Sequence, residues 1–406
     1  MVDDCQKSSQ QICVSKHRQV RIRDLVLTFL KIGTIGFGGG VAMLGLIRKY
    51  LITEKKWISD DDLATAVALG QMIPGPFVPN YVEYIGFKIR GIKGMISSVI
   101  AFLFPGFLAI LILSYLYFKS ANLMLINNIF SWVQPVIIGI LAWASVDMGK
   151  LYLKDTKSII IMLLALFASL FKITPIFTII VCGIIGIIFL NKQKLNLYGF
   201  FPLFLLIGVG PFFINIKSLG ILFLIFFEIG ALIFGGGYAT IPFVAKEVVL
   251  LRPWLTNQEL LTGVALSQIT PGPVALLSTF VGYKISGILG ALIATIAIFL
   301  PSTIILFIIL KVYHYLQKSN FKSPLSNYTQ GFINGVKPAI IGFLISATVT
   351  LAINNGVLIT DSVLTSSIRT LLAIISCILL IILKVSPVFL ILGGVGLGFV
   401  LTRIML

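Results

Sequence analysis

The chain has 406 residues, 58% of them hydrophobic and 11% charged, less than half the charged fraction of about 25% in soluble domains. With a mean hydropathy of +1.06, water cannot be its main solvent. The net charge of +17 does not indicate nucleic-acid binding, because the basic residues are scattered between apolar segments, as the positive-inside bias leaves them.

Residues 1–23 are polar and basic and lack the apolar core of a cleaved signal peptide, which predicts a cytoplasmic N-terminal tail. The first apolar segment, 29–46, carries one charge, Lys31, and is interrupted by Gly38, Gly39 and Gly40. Each glycine in a helix interior costs about 1 kcal/mol relative to Ala, so the run serves either close helix packing or backbone contact with a ligand. A second interruption follows at Pro74, Gly75 and Pro76, three residues after Gln71. Such a break is tolerated at membrane depth only inside protein or against a wet cavity. A plain proline kink is the competing reading.

Asn80 and Glu83 come next. They are candidates for a substrate or proton path, because polar groups within apolar segments are costly and usually functional. Further spans follow, with Gln134 before Pro135 and with Asp147 one turn from Lys150. A short apolar segment, 198–213, then leads to a second copy of the pattern. Glu228 stands where Lys31 stood. Gly235, Gly236 and Gly237 repeat the glycine run, and Gln268, Pro271, Gly272 and Pro273 repeat the break, all at an offset of 197. Trp57 recurs as Trp254, and later anchors include Gly91 and Gly287, Pro105 and Pro301, and Pro135 and Pro338.

The expected architecture is therefore all-α: a multi-pass helical protein of the cell membrane, with two homologous and inverted repeats whose helices are broken at Pro-Gly-Pro. The tail covers 1–23, the first repeat 24–195, a linker that is itself a candidate span 196–216, and the second repeat 217–406. If the Pro-Gly-Pro segments cross, there are thirteen spans. If they re-enter, each half has five and the linker stays on one side. The Lys and Arg distribution favours thirteen with the N-terminus inside, against which stand Arg48, Lys49, Lys55 and Lys56 in the first outer loop.

Broken helices at matching positions in two halves point to a transport site, and helix N-termini after each break suit an anion. The expected substrate-binding set is Gly38, Gly39, Gly40, Gln71, Pro74, Gly75, Pro76, Asn80, Gly235, Gly236, Gly237, Gln268, Pro271, Gly272, Pro273 and Lys337. Lys337 contacts the substrate or snorkels to an interface. The gating or coupling set is Lys31, Glu83, Glu228 and Glu247, with Lys31 and Glu228 read either as an ion pair joining the halves or as a gate. Two histidines and four scattered cysteines predict no metal, no cofactor and no catalytic residue. No P-loop, His-Glu-x-x-His or Gly-x-Ser-x-Gly motif is present, so an enzyme is the weaker reading.

Phe234-Gly235-Gly236-Gly237-Tyr238, Lys246-Glu247-Val248-Val249, Trp254 and Gln268 through Pro273 resemble the chromate ion transporter family in its two-domain form. The resemblance covers nearly the whole chain, and the first half repeats it in degraded form, with Tyr50 in place of Glu247. It implies an inner-membrane carrier that exports chromate, driven by the proton-motive force. Sulfate-like anions fit the same chemistry, and an exporter of amino acids or small metabolites is the alternative. A small oxyanion and the lipid bilayer are the expected partners, with nucleic acid excluded and a homodimer left open.

Overall fold

The computed structural model describes residues 20–36, 39–120, 128–171, 173–190, 218–234, 236–316, 325–357 and 363–405. Among them the regular structure is helical, in two matching series of seven α-helices. The first series is α1 (Ile22–Ile35), α2 (Gly39–Ile47, continued by a π-helical stretch Arg48–Glu54), α3 (Asp60–Met72), α4 (Phe77–Lys119), α5 (Val133–Tyr152), α6 (Thr156–Leu170) and α7 (Pro175–Leu190). The second is α8 (Ser218–Leu232), α9 (Thr240–Ala245, continued by Lys246–Leu251), α10 (Asn257–Ile269), α11 (Leu277–Leu316), α12 (Leu325–Asn354), α13 (Val363–Ile382) and α14 (Pro387–Met405). The chain is a polytopic helical membrane protein. The long helices and the shorter ones around them are apolar enough for a bilayer, and Ile100, Leu116, Phe167 and Ile288 face outward.

The breaks do not interrupt straight spans. Helix α3 has 13 residues, about 20 Å of helix and too short for a hydrocarbon core of about 30 Å. Asn80 Nδ2 donates to the Gly70 carbonyl at 3.3 Å, and Lys88 is ion-paired with Asp62. Contacts that converge on residue 75 from both sides require an antiparallel hairpin with Pro-Gly-Pro at its tip. The second half repeats it. Lys284 Nζ lies 2.6 Å from Glu259 Oε1, and Gly263 packs against Phe280. Gly75 and Gly272 both have φ +106° at these tips, a conformation that L side chains rarely adopt. The Pro-Gly-Pro segments therefore re-enter, and the count of thirteen spans does not hold.

The same correction reaches the glycine runs. Lys31 Nζ lies 4.6 Å from the Tyr50 ring centroid. Were α1 and α2 collinear, those residues would be about 28 Å apart, beyond the reach of two side chains. The pair instead folds back, α2 returning alongside α1. Each half thus begins with two hairpins, and a third turn reverses the chain again inside α4 and α11. Gly91 (φ +61°) and Gly287 (φ +60°) are non-helical there. Gly86 then touches Gly94, and Gly282 touches Gly290, so closely that a Cβ would meet backbone at 2.5 Å or less. The arms 92–119 and 288–316 are the long transmembrane helices, and each meets the short arm of the other half, Phe118 against Phe280 and Thr303 against Glu83.

Local sequence explains the hairpin bases. Ser59 and Asp62 form a capping box on α3, and Thr256 and Glu259 form its counterpart on α10. In each case the capping acid is also the partner of the hairpin lysine. The two tryptophans close the π-helical stretches: Trp57 N–H donates to Leu51 O at 2.8 Å, and Trp254 N–H to Val248 O at 3.0 Å. Further along, α12 packs on α6 and α7 through small residues: Gly335 meets Gly186, and Gly342 meets Met162.

The hairpin bases lie at opposite ends of one helix. Lys88 and its ion pair lie next to the start of 92–119. Lys284 Nζ is 4.9 Å from the Phe118 ring, and Tyr283 stacks on Phe118 at 6.1 Å, at the far end of that helix.

Candidate functional site

The four tips meet at the centre of the molecule. The Gly75 N–H donates to Ile233 O at 2.7 Å, and the Gly272 N–H donates to Gly36 O at 3.2 Å. Each residue of one bond is the repeat counterpart of a residue of the other, 75 with 272 and 36 with 233 at the offset of 197, the reciprocity of an isologous two-fold contact. The surroundings are exchanged in the same way. A Cβ on Gly75 would lie 2.8 Å from Ser302 Cβ, and one on Gly106, the counterpart of Ser302, would lie 2.2 Å from Pro271 O. Phe77 reaches Gly236 across the same joint. Helix ends of both halves converge here; in the second half the first turns are 3-10, with Ala239 N–H donating to Gly236 O and Leu276 N–H to Pro273 O.

The two Pro-Gly-Pro tips are not equally accessible. Ile73, Pro74, Gly75 and Pro76 are buried, whereas Pro271, Gly272, Pro273, Gly236, Gly237 and Gln268 keep part of their surface accessible. At the second tip the Tyr238 hydroxyl donates to Gln268 Oε1 at 3.4 Å, and Gln268 Nε2 has no partner. Trp143 meets Tyr238 edge-on at 6.0 Å, and Asp147 lies within electrostatic reach of Tyr238. At the first tip Gln71 pairs with the Tyr81 hydroxyl, and Tyr152 is in electrostatic reach of Tyr81. Lys337 Nζ lies 5.0 Å from the Tyr152 ring centroid. Helix α5 therefore carries aromatic residues to both tips.

Behind the first tip, Asn80 and Glu83 are fully buried. Thr303 Oγ1 donates to Glu83 Oε1 from the other half, while Glu83 Oε2 and Asn80 Oδ1 have no partner. Leu277 and Phe280 occupy the corresponding places in the second half and are also fully buried.

Comparison with known proteins settles the class of this scaffold. The chromate transporter family model matches residues 23–187 and again 220–399. The chain belongs to the chromate transporter family. An uncharacterized transporter of Methanocaldococcus jannaschii, MJ0718, is 28% identical over 99% of this chain and its own whole length. The chromate transport protein of Cupriavidus metallidurans is 30% identical over 82% of each chain, and that of Pseudomonas aeruginosa 28% identical over 81% of this chain and 80% of its own. No solved structure matches the chain. The family is one of multi-pass membrane transporters, so the enzyme reading falls away.

Of the expected substrate-binding residues, Gln71, Pro74, Gly75, Pro76, Gly236, Gly237, Gln268, Pro271, Gly272 and Pro273 lie at the central tips, and Gly39 and Gly40 lie in the first turn of α2. Gly38 and Gly235 fall outside the described residues. Lys337 stands against Tyr152, and Asn80 behind the first tip. In the coupling set, Lys31 and Glu228 form no ion pair with each other. Lys31 lies over Tyr50, while Glu228 interacts with Glu247 and Arg252, which form a salt bridge. The equivalent positions thus contact the equivalent partners inside their own halves, and the two departures in the repeat, at 31/228 and at 50/247, belong to one contact. Sequence reading missed Thr303, Ser302, Tyr81, Tyr152, Trp143 and Tyr238. The signal for Ser302 and Thr303 was their place directly after Pro301, the counterpart of Pro105.

Proposed function

We propose that the protein is a secondary active exporter of an oxyanion, chromate, across the cytoplasmic membrane, and that the anion binds at the second Pro-Gly-Pro tip. The observation that carries this is the half-exposed cluster of Gly236, Gly237, Gln268 and Gly272 at a joint of four helix ends. Backbone amides and the free Gln268 Nε2 offer donors to a tetrahedral anion there. The family's named members in Cupriavidus and Pseudomonas support chromate as that anion. Lys337 supplies a cation on the route, and the Lys31–Tyr50 and Glu228–Glu247–Arg252 contacts serve as the gates at the two hairpin pairs.

The two halves, 24–195 and 217–406, are inverted in this reading. Two observations support it. The hairpin bases stand at opposite ends of the helix 92–119, and Lys246 Nζ donates to Ile173 O at 2.8 Å. Between Lys49, the counterpart of Lys246, and Ile173 the chain runs through 92–119, α5 and α6, three crossings. Lys246 therefore faces the side opposite Lys49. Charge agrees, since the first hairpin bases carry Arg48, Lys49, Lys55, Lys56, Lys88, Arg90 and Lys93, the second only Lys246, Arg252 and Lys284. The former lie on the cytoplasmic face.

The test is accumulation of labelled chromate by cells expressing the chain, which is expected to fall in a manner that depends on the proton gradient and to be relieved by competing sulfate. Unchanged accumulation with the protein present in the membrane defeats the chromate reading. Competition by amino acids instead would favour a metabolite exporter.

A further inference from the structure

The buried pair behind the first tip presents acceptors, a chemistry opposite in sign to the donors an anion needs. Asn80 and Glu83 lie one helical turn apart on the same face of the arm 77–90, and neither has any accessible surface. Asn80 Nδ2 donates to Gly70 O, and Thr303 Oγ1 donates to Glu83 Oε1. The two atoms left without a partner, Asn80 Oδ1 and Glu83 Oε2, are both acceptors.

No cation answers them. The charged groups on the packed elements are engaged or distant. Asp62 pairs with Lys88 at the hairpin base, Lys31 lies over Tyr50, and Lys311 over Phe307. Lys93 and Lys119 stand near the two ends of 92–119, and Arg90 is at the turn. None of these forms an ion pair with Glu83 among the described residues. A carboxylate ion held this way is strongly disfavoured. A single added hydrogen on Oε2 removes the charge and supplies the missing donor to the acceptor face.

We infer that Glu83 is the binding site of the coupling proton, taken up from water on one side of the membrane and released on the other as the two halves move. Thr303, donated across the joint, tunes its release, and Asn80 accepts the bound proton. The second half, with Leu277 and Phe280 in these places, has no such site. This inference rests on the secondary-transport reading above and adds to it the residue that carries the proton.

The experiment uses the full chain in liposomes. Wild-type protein is expected to move chromate against its gradient when a pH gradient is imposed, and a sodium gradient alone should not drive it. Glu83→Gln, a permanent mimic of the protonated acid, should lower gradient-driven flux by about tenfold or more. Its chromate–chromate exchange should remain. Thr303→Val removes the donor that favours the charged form, so the pH at which flux is half-maximal should rise by about one unit. Infrared difference spectra of the protein without any anion should show a protonated carboxyl band that Glu83→Gln abolishes. The band stands whether or not chromate is the substrate, so a wild type that carries no chromate defeats only the substrate reading. Undiminished pH-driven flux in Glu83→Gln, driving by sodium in place of protons, or a carboxyl band that survives the substitution overturns the proton site.

Discussion

The two Pro-Gly-Pro tips share a backbone and differ in everything the backbone carries. Both turn at a glycine with φ +106°, both hairpins are capped by an acid that also pairs with a lysine, and each donates a main-chain bond to the residue two places before the glycine run of the other half. Yet the first tip is buried and backed by Asn80 and Glu83, while the second is half-exposed and backed by Leu277 and Phe280. The duplicated frame holds two chemistries, an acceptor-rich interior in one half and a donor-rich surface in the other. The difference teaches that the repeat should be read position by position, since a shared backbone turn says nothing of the side chains set behind it.

The strongest way to break this comparison is to give the second tip the first tip's carboxylate. Phe280 has no accessible surface and packs on Tyr117 and Phe118 at 5.7 and 4.9 Å. Phe280→Glu would bury a charge without a partner and remove a packed ring, at a cost of about 4 kcal/mol or more. The expected outcome is loss of folded protein by size-exclusion chromatography in detergent, and a well-folded, active variant would show that the tips are interchangeable.

Next come the turning glycines. Gly75→Leu meets Ser302 and demands a backbone conformation that costs about 1–3 kcal/mol for a non-glycine residue. Gly272→Leu has the same backbone penalty with more room, its closest neighbour being the Leu276 side chain at 3.2 Å. Both should abolish labelled-chromate transport while leaving membrane insertion intact. Any residual flux should be greater in Gly272→Leu. Normal transport by either would reduce that tip to a packing kink.

The glutamines sharpen the same contrast. Gln268→Ala should weaken chromate binding by about tenfold, as loss of one donor to a charged ligand does, read as a raised KM for flux in liposomes. Gln71→Ala, at the buried tip, should change KM little. Equal effects would place the anion between the tips instead of at the second. The smallest expected change is at the hairpin bases. Lys284→Glu should lower the melting temperature slightly, since a partly exposed ion pair contributes about 0.2–1 kcal/mol. The exchange Glu259→Lys with Lys284→Glu should restore the ion pair, though not the capping box.

Much of this was legible in the residues. The offset of 197 located the tips, the glycine runs and Trp57 with Trp254 before any coordinates, because a backbone that needs glycine at fixed places leaves a sequence trace. Reversal of direction leaves almost none. Two helices of about 20 Å joined at a tip have the same hydropathy as one broken span, so windowed reasoning counts them as a crossing. Gly91 and Gly287 were visible as matched glycines but not as turns, since only their φ values distinguish a turn from a packing contact. The Lys31–Glu228 pairing failed for a related reason. Equivalent positions in two halves meet only if they lie near the symmetry axis, and these lie along hairpins that enter from opposite ends. The cross-half partner of Glu83, Thr303, was marked only by its place just after Pro301, and its pairing with Glu83 was not, because a contact between residues 220 positions apart depends on the docking of the halves alone.

The reciprocal bonds at the joint run from Gly75 N–H to Ile233 O and from Gly272 N–H to Gly36 O, and all four atoms are main chain. Side chains are free to drift at such a seam without unfastening it, provided the two glycines keep their turn. One half of this transporter, replaced by the matching half of a distant relative, is therefore expected to engage the other through the same seam.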